Sequence, residues 1–203
     1  MIETHLQIGD PPRVLEGRLA RPEGHRAGAV VCHPHPEYGG DMDNAVVTLI
    51  ASALVDAGRA VLRFNFGGVG ASGGAYGGGV AETDDVRAAV AALATRLPAG
   101  DPITVVGYSF GAWVALRAGA IEAGIERIVA VAPPLAFFDW DFLADVRPPV
   151  SVIVGDRDEY CPRAKLASLM SRYPVQTLEG ADHFFGGHED DVAEAVVRAC
   201  VIG

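Results

Sequence analysis

The chain has 203 residues, of which 50% are hydrophobic, and carries a formal net charge of −10 with a pI near 4.9. That length and apolar content suit one domain spanning residues 1–203 with a sizeable core, and the acidic surface disfavours nucleic acid and anionic membranes as partners. No apolar run reaches the roughly 18 residues of a membrane span, and the N-terminal MIETHLQIGDPP has neither the basic flank nor the apolar stretch of a signal peptide.

Two alternating segments come first, Ile2–Ile8 and Arg13–Ala20, joined by a GDPP turn; each reads as a half-buried strand. The rhythm then changes. Ala29–Cys32, Ala60–Phe66, Ile103–Val106, Arg127–Ala132 and Val150–Val154 are short, continuous, β-branched runs, as expected of parallel strands buried on both faces, and Val175–Leu178 is a further short strand. Helical patterns lie between them. Asn44–Ala57 ends at Gly58, Thr83–Leu97 stops before Pro98, and Ala112–Ala123 and Ala164–Arg172 follow. Glu189–Cys200 opens on the acidic HEDD, which suits a helix N-terminus. The alternation predicts an α/β fold: a mostly parallel sheet with helices on both faces and an antiparallel N-terminal edge. Cys32, Cys161 and Cys200 are too few and too scattered for a disulfide framework, so a reducing cytoplasm is expected; the Arg, Ala and Gly bias suggests a bacterial source.

The most informative stretch is ITVVGYSFGAWVAL. Gly107-Tyr108-Ser109-Phe110-Gly111 matches G-x-S-x-G, with a buried strand running into it and a helix running out. A sharp turn at Ser109 brings strand and helix so close that side chains two positions either side would clash. It also lifts the hydroxyl off the sheet, beside a helix N-terminus where the N–H of Phe110 is free to hold a developing oxyanion. A serine needs a base, and His183, on the loop between the last strand and the last helix, is the candidate among six histidines. His188 begins the last helix and reads as a solvated cap. The base needs a carboxylate, and SVIVGDRDEYCP offers Asp156, Asp158 and Glu159 after a buried strand. Serine, acid and histidine then follow in one consistent chain order.

On HPHPEYGGDMDN, RFNFGGVGASGG, GYSFG, GDRDEYCP and ADHFF, the chain resembles the α/β-hydrolase superfamily, and within it the small, lidless bacterial hydrolases grouped with the dienelactone-hydrolase-like proteins. The resemblance covers nearly the whole chain and implies an α/β-hydrolase fold without a cap domain; the 133–149 connection is too short to hold one. It implies Asp158 as the acid, with Asp156 a turn residue, although spacing alone leaves both open. It also implies that the loop after Ala29–Cys32 supplies a second oxyanion donor. Pro34 and Pro36 have no N–H, so that donor falls to His35, whose imidazole the role does not require. The chain departs from the pattern at Gly67, where the subgroup commonly has Arg, and at Ser109, where dienelactone hydrolases proper use cysteine.

Two rival readings rest on the same segments. Cys32, His33, His35 and Glu37 are potential metal ligands, but neighbours in an extended segment point to opposite faces and no second ligand cluster exists, so no metal is expected. Gly68-Val69-Gly70-Ala71-Ser72-Gly73 matches a dinucleotide fingerprint, but more glycines follow where a helix should open. The expectation is therefore a serine hydrolase, carboxylesterase-like, that needs no cofactor and cleaves a small or exposed ester or related acyl bond, with a small acyl substrate as its partner, acting as a monomer or homodimer. Tyr38, Tyr108, Phe137, Phe138 and Trp140 are the candidate pocket walls. A non-catalytic binding scaffold on the same fold and a metal-dependent hydrolase built on the HPH segment are the alternatives.

Overall fold

A run such as Ile103–Tyr108 has no polar face to give to water, so it is stable only with a layer packed on each side. The computed structural model, which describes residues 2–201 apart from the side chains of Arg163 and Ser168, supplies those layers. Strands β1 (Glu3–Ile8), β2 (Leu15–Ala20), β3 (Gly28–Cys32), β4 (Ala60–Phe64), β5 (Ile103–Tyr108), β6 (Arg127–Val131), β7 (Val150–Gly155) and β8 (Val175–Leu178) form one eight-stranded sheet in the order β1-β2-β4-β3-β5-β6-β7-β8. The β1–β2 and β2–β4 pairs are antiparallel and the remaining pairs are parallel. Helices α1 (Ala45–Asp56) and α5 (Glu189–Ala199) pack together on one face. On the other face lie α2 (Val80–Ala94) and α3 (Phe110–Ile121), and α4 (Arg163–Met170) adds Leu169 to the same core.

This topology fixes where a ligand site belongs. From β3 the chain crosses through α1 to β4 on one side, while β5 lies on the other. The loops leaving β3 and β5 therefore diverge to opposite faces and open a cleft at the carboxyl edge. The 133–149 connection holds only a short 3-10 turn, Asp141–Asp145, and no lid.

Several boundaries differ from expectation by one to three residues, among them both ends of α3 (Phe110–Ile121, not Ala112–Ala123), and three of them have clear local reasons. Helix α2 begins at Val80, not Thr83, because the Glu82 carboxylate takes the N–H groups of Gly77 (2.8 Å) and Gly79 (2.7 Å) and so caps the helix from inside its first turn. It stops at Ala94, short of Leu97, where Thr95 caps it and the Arg96 N–H closes a tighter turn onto Leu93. Arg13 lies ahead of β2 in a turn, its N–H on the carbonyl of Asp10, which frees its side chain to reach across the sheet edge.

Candidate active site

Ser109 joins β5 to α3 with φ 56° and ψ −119°, a region that a residue with a Cβ rarely enters. The two glycines of the motif make the turn possible. A Cβ on Gly107 would overlap the carbonyl of Gly111, and one on Gly111 would overlap the carbonyl of Cys32. The second approach packs the start of α3 against the end of β3, so the elbow and the loop after β3 are set side by side.

The base arrives from the β8–α5 loop. His183 is buried, its Nε2 is 2.9 Å from the Ser109 Oγ, and its Nδ1 is 2.9 Å from Asp158 Oδ2. With Nδ1–H donating to the carboxylate, Nε2 accepts from the serine hydroxyl. The Asp158 carboxylate is also buried, and its Oδ1 takes the N–H of Tyr160 at 2.8 Å, so both oxygens are held. Close backbone approach positions these loops. A Cβ on Gly155 would overlap the carbonyl of Ala181, the Arg157 N–H donates to Ala181 O, and the Tyr108 hydroxyl donates to His183 O at 3.1 Å. Asp156 is exposed and accepts the N–H of Gly180 at 2.7 Å, bracing the loop that carries His183. His188 caps α5, with its Nδ1 3.1 Å from Asp191 Oδ2.

Across the serine, the Phe110 and His35 N–H groups have no acceptor among the described residues. The loop that holds His35 is braced by two imidazoles. His33 is fully buried; its Nδ1–H donates to Pro34 O (2.6 Å) and its Nε2 accepts from Phe66 N–H (3.0 Å). Desolvation lowers its pKa to about 4, so it is neutral at ordinary pH. The His35 ring is also used: Nδ1 accepts from Glu37 N–H (3.2 Å) and Nε2–H points to the Tyr76 hydroxyl (3.1 Å). Burial lowers its pKa too. Both His33 ring nitrogens are thus engaged within the protein, Cys32 is buried inside β3, and Glu37 is exposed. Among the described residues no group of histidine, cysteine and carboxylate side chains has metal-binding spacing. Burial raises all three thiols, to about 12 for Cys161 and about 11 for Cys200, so none is a ready nucleophile.

The space beside Gly67 is filled by an arginine from the start of the chain. The Arg13 guanidinium lies where a side chain on Gly67 would begin, its Nε 2.6 Å and Nη2 2.8 Å from the buried Asp85 carboxylate, which also takes the Gly67 N–H. Together with Glu82, this ion pair shapes the glycine-rich loop that presents Tyr76 to His35. Nothing in the composition of residues 67–79 points to that role.

A cavity of about 740 Å³ opens over Ser109. It is walled by His35, Tyr38, Tyr108, Phe110, Phe137 and Phe138, with Tyr160 and Phe184 beside His183. Tyr160 and Phe184 were not among the residues expected there, although each sits within two positions of the acid or the base. Trp140 does not line the cavity, contrary to expectation. The chain turns at Asp139, whose carbonyl accepts the Trp113 Nε1–H (2.9 Å), and Trp140 then stacks on Phe142 beside Arg117, away from Ser109.

Residues 25–142, more than half of the chain, match the family model described as serine aminopeptidase, S33, and the chain belongs to that family of α/β serine hydrolases. The chain is 35% identical to Uncharacterized protein RP471 of Rickettsia prowazekii (strain Madrid E), over 94% of this chain and 86% of that one. Among solved structures it is similar to an α/β serine hydrolase homologue from Coxiella burnetii (33% identity, TM-score 0.86, covering 98% and 97% of the two chains). It is also similar to XC6422 from Xanthomonas campestris, an α/β serine hydrolase without a lid (32% identity, TM-score 0.87, covering 97% and 93%). No helix among the described residues is long and apolar enough to cross a membrane.

Proposed function

We propose that the protein is a carboxylesterase-like serine hydrolase that works through an acyl-enzyme. The observation that carries the reading is the hydrogen-bonded series Ser109–His183–Asp158 beneath an open apolar cavity, faced by two unengaged N–H groups. Ser109 Oγ attacks the acyl carbon as His183 takes its proton, and the carbonyl oxygen, now negative, is held by the N–H groups of Phe110 and His35. Collapse expels the alcohol, protonated by His183. Water, deprotonated by the same imidazole, then attacks the ester on Ser109 and releases the acid. Asp158 keeps the Nδ1–H tautomer and offsets the imidazolium charge.

An ester suits this cavity better than a peptide N-terminus, although the family carries an aminopeptidase name. A free α-ammonium is held best by a carboxylate, and among the described residues no Asp, Glu, Lys or Arg lines the cavity. A cytoplasmic setting is part of the proposal, supported by the buried free thiols. The test is Ser109→Ala against a panel of simple esters together with a fluorophosphonate probe. The variant is expected to fold, to lose about a thousandfold or more in kcat and to take up no label. Full labelling of the variant would place the nucleophile elsewhere, and no hydrolysis by the native chain would favour a binding scaffold.

A further inference from the structure

We propose that the side of the cavity next to His183 is a site for an aromatic alcohol that carries no negative charge, so that the preferred substrates are esters of arylmethyl or similar flat alcohols. The inference rests on the serine-hydrolase reading above. The proton that frees the alcohol comes from His183 Nε2, so the departing oxygen must lie at that nitrogen and the rest of the alcohol against the groups around it. Those groups are rings. Tyr160 lies 4.5 Å from the His183 ring and Phe184 5.4 Å, centre to centre. Phe137 and Phe184 both stand edge-on to Tyr160, at 5.2 Å and 6.3 Å.

Exposure turns these rings from packing into a site. Phe137 is 63% exposed, Phe184 62% and Tyr160 37%, so the group spends much of its apolar surface on water. A flat ring laid among them removes that surface and finds both faces and edges to meet. An alkyl group of equal size gains the area term only. Charge narrows the class further. Among the described residues the cavity lining offers no cation for a carboxylate, and the exposed Glu159 and Asp182 flank these rings in sequence on a chain of net charge −10. An anionic alcohol is therefore disfavoured twice.

The test fixes the acyl group as acetyl and varies the alcohol among methyl, cyclohexylmethyl, benzyl and 4-carboxybenzyl, which differ little in leaving-group acidity. The benzyl ester is expected to exceed the cyclohexylmethyl ester in kcat/KM by on the order of tenfold, the contribution of aromatic geometry beyond area. The 4-carboxybenzyl ester should fall below both, and benzyl alcohol should inhibit competitively more strongly than cyclohexylmethanol. Phe184→Leu and Tyr160→Leu should each shrink the benzyl-to-cyclohexylmethyl ratio several-fold. Equal rates for the two esters, or a ratio unmoved in both variants, would overturn the aromatic site while leaving ester hydrolysis at Ser109 intact. If none of the esters is hydrolysed, both readings fall.

Discussion

Two glycine clusters serve this protein in opposite ways. At the elbow, a Cβ on Gly107 or Gly111 would meet backbone: the carbonyl of Gly111 in one case and those of Cys32 and His33 in the other. Carbonyls held in a sheet and a helix cannot step aside. In the 67–79 loop, several glycines make room for side chains that arrive from elsewhere: Arg13 at Gly67 and Gly74, Asn65 and Glu16 at Gly70, and Trp113 at Gly79. The difference teaches how to read a glycine whose Cβ would find no room. The first kind is set by backbone that cannot move; of the second, Gly70, Gly74 and Gly79 are also held by a positive φ, and Gly67, which has none, is the one open to exchange with its partner side chain, Arg13.

The largest effect should come from the first kind. Gly111→Ala drives a methyl into two carbonyls and should cost more than about 4 kcal/mol, seen as a collapse of the urea midpoint or as failure to fold. A variant of near-native stability would break the comparison at its stronger end.

The second kind should be rescuable. Gly67→Arg alone forces the guanidinium of Arg13 off a buried carboxylate and should cost roughly 3 kcal/mol; Arg13→Ala alone strands Asp85 and should cost a similar amount. The double variant, with one arginine reaching Asp85 from position 67, should be at least about 1–2 kcal/mol more stable than the sum of the two losses implies. Strict additivity in chemical denaturation would show that the two positions do not share one site.

A smaller effect should appear where the two regions meet. His33 joins them, donating to the loop beside the elbow and accepting from Phe66 at the entry to the glycine-rich loop. Its pKa is about 4 in the folded chain, below the ordinary 6.5, so between those values the unfolded chain binds the extra proton. Stability contributed by the neutral ring is therefore full above pH 6.5 and is lost as the pH falls toward 4, about 3 kcal/mol in all. His33→Gln should flatten the slope of unfolding free energy against pH in that window. An unchanged slope would assign the acid sensitivity to other groups.

Much of this architecture was readable because it rests on local patterns. The apolar runs mark the buried strands, and G-x-S-x-G between a strand and a helix marks the turn at Ser109. Spacing left Asp156 and Asp158 open; in the fold Asp158 contacts His183 and Asp156 braces Gly180. What stayed hidden depends on contacts distant in sequence. Arg13 filling the space at Gly67 links the start of the chain to its middle, and Tyr76 gains its role only when the loop folds over His35. Trp140 was indistinguishable from Phe137 and Phe138 by composition. The turn at Asp139, fixed by Trp113 from α3, separates them. The shift in the start of α2 has the same origin at shorter range: Glu82 caps from inside the helix, where no polar N-cap residue announces it.

The backbone at Ser109 carries one more consequence. A positive φ on a residue with a Cβ holds about 1–3 kcal/mol of strain, and glycine would release part of it at no cost in packing. Selection for thermal tolerance alone would therefore reward loss of the hydroxyl. In a library sorted by heat, Ser109→Gly should rise among the survivors, and robustness and turnover would pull this position in opposite directions.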